Sequence, residues 1–260
     1  MSVLVVLSGG QDSTTCLFWA KEQFPGEDIH ALTFDYGQKH AVELNAARKI
    51  GKLAGVASHE FVTLGKVLAG TSPLVNSDEE VGQYDSAEEL PGGVEPTFVP
   101  ARNILFLTIA ANRAHCLGVE DIITGVCQED FGGYFDCRRV FIDRMENALS
   151  QGIYGVETKL AIHTPLMYMT KKESVEFAIR IPGALHALAY SHTCYNGQNP
   201  PCGKCHACIL RQKGFDEGNC LDPLFFDAEQ VDALAKFNPL DLKDPIVKES
   251  EGTEGMEVHG

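Results

Sequence analysis

The chain has 260 residues, of which 44% are apolar and 22% charged, and its 21 Lys and Arg face 36 Asp and Glu for a net charge of −15. That length supports a sizeable core in one large or two small domains, and no apolar run reaches the ~18 residues that a membrane-spanning helix needs. The acidic balance also speaks against a nucleic-acid partner, since gripping a phosphate backbone takes clustered Lys and Arg.

The predicted elements alternate along the chain. Val3 to Leu7 is a β-branched apolar run, cut off by Ser8-Gly9-Gly10 and preceded by no basic residue. It is too short for a signal peptide and reads as a strand buried on both faces. A helix is expected from Ser13 to Gln23, a strand from Ile29 to Phe34, and a helix from His40 to Leu53 that Gly55 ends. A short strand follows near Glu60 to Thr63. Residues 66–97 are rich in Gly, Pro, Ser and acids and lack periodicity, as in an insertion or surface loop. Further on, helix is expected over 103–116, strand over 121–124, helix over 143–149 and strand over 159–163. Thr170 caps another helix, with Glu173 completing a capping box. A Cys-rich knot and a short helix run to Gly214, after which periodicity is lost and the last twelve residues are expected to be disordered. Strands alternating with helices predict an α/β fold, a doubly wound parallel sheet.

The charge is uneven. Residues 69–97 hold seven acids and no Lys or Arg, and residues 221–260 hold ten acids against three lysines. The rest of the chain is close to neutral, so the acidity reads as a property of two surface segments that serve solubility.

Ser8-Gly9-Gly10-Gln11-Asp12-Ser13 follows the first strand and opens the first helix. Glycines let the backbone turn its N–H groups toward a phosphate, the serines add hydroxyl donors, and the helix N-terminus adds a positive dipole end. Neither a Walker P-loop nor a G-x-G-x-x-G fingerprint is present. A loop with an Asp and no lysine suits a nucleotide carrying Mg²⁺; the plain alternative is a structural strand-to-helix turn. Four of the nine cysteines, Cys194, Cys202, Cys205 and Cys208, are spaced C-x7-C-x2-C-x2-C. Four thiolates at such steps suit a closed, structural Zn²⁺ site. An iron–sulfur cluster or a redox C-x2-C would use the same residues, and His192 or His206 lies near enough to replace one sulfur. Clustered cysteines without a disulfide framework point to the cytoplasm.

The glycine loop resembles that of the ATP pyrophosphatase (PP-loop) superfamily, whose members cut ATP between its α and β phosphates. Together with the cysteines, seven blocks in order make the chain similar to the 7-cyano-7-deazaguanine synthase family. They are Leu7-Ser8-Gly9-Gly10-Gln11-Asp12-Ser13-Thr14-Thr15-Cys16-Leu17, Thr33 to His40, Thr97 to Asn103, Ile123 to Cys127, Gly133 to Arg138, Thr164 to Leu166, and Thr193 to Gly197 with Cys202 to Arg211. The family often has Gly where this chain has Ala101, and Pro where it has Phe135.

The resemblance implies a sheet of the adenine nucleotide alpha hydrolase-like type. It divides the chain into a nucleotide-binding domain at 1–185 with the acidic insertion 66–97, a zinc-binding helical region at 186–220, and an acidic extension at 221–260. It implies conversion of 7-carboxy-7-deazaguanine, ammonia and ATP to the nitrile, with Mg²⁺, one structural Zn²⁺ per chain and a homodimer. Residues 7–17 with Asp35, Tyr36 and Gln38 would bind the nucleotide. Asp12, Ser13, Arg102, Asp130 and Asp136 would be catalytic, and Asp130, Tyr134, Asp136 and Arg138 would meet the base. Lys171 and Lys172 would meet phosphate or simply solvent. Three rival enzyme readings are a tRNA-modifying relative, which should carry basic surface where this chain is acidic; an amidotransferase-type synthetase, for which no glutaminase region fits, so that ammonia is taken free; and a paralogue that passes the activated carboxylate to another amine, which stays open. A non-enzymatic nucleotide-binding scaffold is a fourth.

Overall fold

In a computed structural model, which describes residues 2–38, 42–76, 78–91, 93–128 and 133–237, five strands form one parallel sheet. They are β1 (Ser2–Val6), β2 (Asp28–Asp35), β3 (Ser58–Thr63), β4 (Asp121–Ile123) and β5 (Ala161–His163), in the order β3-β2-β1-β4-β5. Val3 pairs with Ile29 on one side and with Asp121 on the other, so β1 is central. Its alternating side chains feed two cores. Val3, Val5 and Leu7 pack with α1 (Gln11–Gln23) and α2 (Val42–Ala54). Leu4 packs with Leu107 and Ala110 of α3 (Arg102–Leu117) and with Ile142 of α4 (Arg139–Tyr154). The crossover helices thus lie on one face before β3 and on the other after it, which is the doubly wound arrangement expected. Chain direction diverges between β1 and β4, and α/β sheets bind ligands at the carboxyl ends of strands at such a switch point.

On the first face, α5 (Lys171–Arg180), α6 (Ala184–Leu188), α7 (His206–Glu217) and α8 (Ala228–Leu234) complete the layer. The Thr170–Glu173 capping box is present. Helix α4 is longer than the 143–149 expected. It starts with no side-chain cap at Arg138 and ends at Gly155, whose φ of 71° stops it. Helix α6 escapes a periodicity reading because its few residues are nearly all buried. Helix α8 has a capping box of Asp227 and Gln230 inside the stretch read as patternless. The tail 238–260, with its expected disorder, lies outside the described residues, as do Lys39 and His40.

The described residues of 66–97 are irregular apart from a 3₁₀ turn at Ala87–Glu89. They are not loosely attached: Val81 packs among Cys194, Cys205 and Cys208, and Tyr84 N–H donates to Lys204 O at 2.8 Å. Another long-range tie is the buried pair Arg211–Asp222. Its bidentate bonds of 2.6 and 2.8 Å join α7 to the segment after it.

Candidate functional site

A cavity of about 280 Å³ opens at the carboxyl ends of β1 and β4. Its floor is the loop between β1 and α1. Gly9 has φ 89°, and a β-carbon there would stand 2.6 Å from both Glu43 O and Ala47 N, so α2 leaves room for glycine alone. Gly125, after β4, packs nearly as closely on the start of α1: a β-carbon would lie 2.9 Å from Ser13 N. Ser8 and Ser13 hydroxyls sit 2.9 Å apart, and Ser8 N–H donates to Ser13 Oγ at 3.1 Å. The loop closes around its own hydroxyls, while the first-turn N–H groups of α1 have no intrahelical acceptor. An anion suits that position.

Asp12, in the first turn, accepts from Lys171 Nζ at 2.8 Å through Oδ2. Its other oxygen, Oδ1, is buried with no hydrogen-bond partner among the described residues. A buried carboxylate oxygen of this kind is costly unless something completes it. The donor set, one anionic oxygen beside a phosphate cradle, fits a Mg²⁺ ion carried by a nucleotide. The loop has no lysine of its own; α5 supplies one from 159 positions away. Lys172 instead lies 3.8 Å from Glu176 at the surface.

The walls are aromatic. Phe34 and Phe106 stack at 4.2 Å with planes 9° apart, and Tyr36 meets Phe106 at 5.3 Å. Arg102 reaches in from the start of α3 and hydrogen-bonds Tyr36. Burial works against its charge, but Tyr36, Tyr195 and Tyr134 outweigh that and strengthen it. Glu43 lines the same cavity, and burial pushes its carboxyl up to about 7 against the pull of Arg102. Tyr134 stacks on Phe98, and burial pushes its phenol up to about 12.

The expected residues divide as follows. Leu7, Ser8, Gly10, Gln11, Asp12, Ser13, Tyr36, Gln38, Arg102 and Tyr134 line the cavity. Thr14, Thr15, Cys16 and Leu17 are buried in α1 behind the loop, and Asp35 holds the turn after β2 through Gly37 N–H. Asp136 faces the start of α3: its Oδ2 accepts from Asn103 N–H at 3.1 Å. It thereby caps a helix whose own N-cap, Ala101, has no capping side chain and sits at φ 65°. Arg138 is exposed, with its guanidinium 4.8 Å from the Phe135 ring. Asp130 lies outside the described residues. Glu43, Phe106 and Tyr195 line the cavity without having been singled out for it. The family blocks already contained Tyr195, whereas Glu43 lay within an ordinary helical pattern.

The four cysteines come together. Their sulfurs lie within 4.8 Å of one another, close to the ~3.8 Å edges of a tetrahedron with metal–sulfur bonds of about 2.3 Å. Backbone N–H groups already point at them: Tyr195 to Cys205, Cys202 to Cys194, and Cys205 to Cys202, at 3.3–3.4 Å. Donors aimed at sulfur suit thiolates that bind a metal, so the cluster can hold one. It also forms part of the cavity wall, because Thr193, Cys194 and Tyr195 face inward. His206 and His192 stand beside it, and His192 N–H donates to Gly9 O at 2.8 Å.

Residues 2–219 match the family model described as queuosine biosynthesis protein QueC. The chain is 56% identical over 224 residues to the 7-cyano-7-deazaguanine synthase of Gloeobacter violaceus, covering 85% of this chain and 94% of that one. It is 49% identical over 226 residues to the synthase of the same name from Chromobacterium violaceum, covering 85% and 92%. Among solved structures, the U34-tRNA thiolase NcsA from Methanococcus maripaludis overlaps at a TM-score of 0.43 and 15% identity, covering 91% of this chain and 70% of that one.

Proposed function

The chain belongs to the QueC family of queuosine biosynthesis proteins, and on that footing we propose that it makes 7-cyano-7-deazaguanine from 7-carboxy-7-deazaguanine, ammonia and ATP. It would act as an ATP-dependent C–N ligase. The observation that carries this reading is that the phosphate cradle, the Asp12–Lys171 pair and Arg102 converge on one aromatic-walled cavity.

The chemistry follows from what a carboxylate lacks, a leaving group. A substrate carboxylate oxygen attacks the α-phosphorus of ATP, the α–β bridge bond breaks, and pyrophosphate leaves. Ammonia adds to the acyl carbon, AMP departs, and one N–H proton is lost to give the amide. The amide oxygen attacks a second ATP in the same way, and the nitrogen loses one of its two protons to give the adenylated imidate. AMP then leaves the imidate carbon as nitrogen gives up its last proton, and the C≡N bond remains.

The residues have matching tasks. Ser8, Gly10, Ser13 and the first turn of α1 hold the departing pyrophosphate, and Asp12 with Lys171 fixes the edge of that cradle. Mg²⁺, held at Asp12, would supply Lewis-acid stabilisation of phosphate charge. Arg102 pairs with the substrate carboxylate, and Asp136 keeps Arg102 in place by seating α3. Phe34, Phe106 and Tyr36 pack against the planar rings and exclude water that would hydrolyse an acyl adenylate. The cysteine cluster would hold a structural Zn²⁺, and the backbone that carries Cys194 also carries Thr193 and Tyr195 of the wall.

Incubation of the purified protein with 7-carboxy-7-deazaguanine, ATP, Mg²⁺ and ammonium, followed by mass spectrometry, tests the reading. The expected products are the nitrile and two AMP per nitrile; absence of both nitrile and AMP overturns it.

A further inference from the structure

Most acids inside the fold have their donors. Glu95 is 2% exposed and accepts from Thr97 N–H at 3.0 Å and from Tyr84 OH at 3.4 Å. Asp222 takes both arms of Arg211, and Asp136 takes Asn103 N–H. Among the described residues two acids line the cavity, Asp12 and Glu43. Asp12 has Lys171. Glu43 differs. It lies in the first turn of α2, with part of its side chain open to the cavity. Arg102 attracts its carboxyl and Cys194 repels it, yet no hydrogen bond or ion pair joins that carboxyl to any described residue.

A carboxylate enclosed in this way is costly until donors reach it. Its two oxygens match two parallel N–H groups, as in a bidentate pair. A guanine-type ring presents such a pair on one edge, a ring N–H beside the exocyclic 2-amino group. An adenine edge instead sets its amino N–H beside the lone pair of a ring nitrogen, which would repel the second oxygen. Phe34, Phe106 and Tyr36 supply flat surface in the same cavity, and Arg102 supplies a cation for a carboxylate. We infer that Glu43 is a specificity-determining substrate residue: its carboxylate reads the N–H edge of a 2-amino lactam ring, a guanine-type base, and not the nucleotide. The inference rests on the reaction proposed above. It gives α2 the base-reading task expected of Asp136, which is bound to the start of α3.

The test measures kcat/KM for 7-carboxy-7-deazaguanine and for its analogue without the 2-amino group, together with KM for ATP. Wild-type protein should prefer the first by about 100-fold or more, since a site built to bond an N–H rejects the analogue that lacks it. Glu43→Gln keeps the shape and exchanges one acceptor for a donor. It should bring the ratio close to one with KM for ATP unchanged. Glu43→Asp keeps both oxygens and should retain the preference, with KM for the deazaguanine raised. If the glutamine variant fails to fold, the aspartate variant decides: KM must rise for the deazaguanine and not for ATP. A glutamine variant that keeps the wild-type ratio, or that raises KM for ATP instead, overturns the inference and leaves the reaction standing. Wild-type protein that makes nitrile from both compounds without preference does the same. A wild-type protein that releases neither nitrile nor AMP removes the reaction, and the inference with it.

Discussion

Lys171 Nζ lies 2.8 Å from Asp12 Oδ2, so the first residue of α5 is tied to the first turn of α1 at the floor of the cavity. The pair leaves Asp12 Oδ1 buried and without a hydrogen-bond partner among the described residues. Asp12→Asn keeps an oxygen for the lysine and removes the negative charge that a cation needs. AMP release should fall by about 100-fold or more, with an unchanged unfolding midpoint. Steady-state assays over a Mg²⁺ series would check this, and full turnover in the variant would refute the role given to Asp12.

The cysteine cluster and the phosphate loop share a strand of backbone, because His192 N–H bonds Gly9 O two residues before Cys194. Cys205→Ser should lose bound metal, measured by atomic absorption. The unfolding midpoint should fall by about 10 °C or more, since structural zinc contributes on the order of 10 kcal/mol to the folds that need it. A metal-free variant of native stability and full ATP affinity would contradict the coupling.

Ala101 occupies φ 65°, where a β-carbon is strained. Ala101→Gly should stabilise the protein by about 0.5–1 kcal/mol, and the β-branched Ala101→Val should destabilise it by more. Urea unfolding of the two variants would measure both signs.

Burial, reinforced by Arg48, holds His59 down to about 4, and its ring lies 2.8 Å from Thr33 Oγ1. A lowered folded-state value means that the unfolded chain binds the proton more readily. The stability His59 contributes is present above the usual value of about 6.5 and is lost as pH falls toward 4. His59→Gln should flatten that part of the stability profile, followed by denaturant midpoints between pH 7 and pH 4.

Arg211 and Asp222 are each 4% exposed as side chains. Asp222→Ala leaves a buried guanidinium without its partner and should cost about 3–5 kcal/mol. Thermal unfolding would show it. The cost should be far smaller for substitutions at the exposed pair Lys204–Asp85.

Much of this architecture could be read from residue order. The apolar run Val3 to Leu7, the Ser8–Ser13 loop and the cysteine spacing each carry a local physical signature, and each lies where its pattern predicts. Other features depend on contacts that no local pattern announces. Lys171 looks like any lysine at a helix start until α5 packs beside α1. Asp136 has the composition of a base-reading loop residue, yet its partner is an N–H group 33 positions earlier. Acidic composition concealed Glu95, because charge counts do not reveal which carboxylate turns inward. Helix α8 was hidden by its brevity, although its capping box was present.

Arg102, Lys171 and Arg211 are the Lys and Arg side chains that line the cavity among the described residues. Lys171 faces Asp12, and Arg211 faces Asp222 and the hydroxyls of Ser191 and Thr193. At a distance each such pair is a dipole with no net charge, and Arg102 is offset in part by Glu43 in the same cavity. An incoming nucleotide would therefore feel little long-range pull from a protein of net charge −15. Capture would depend on short-range fit, and the association rate for ATP should rise with ionic strength as the repulsion between like charges is screened.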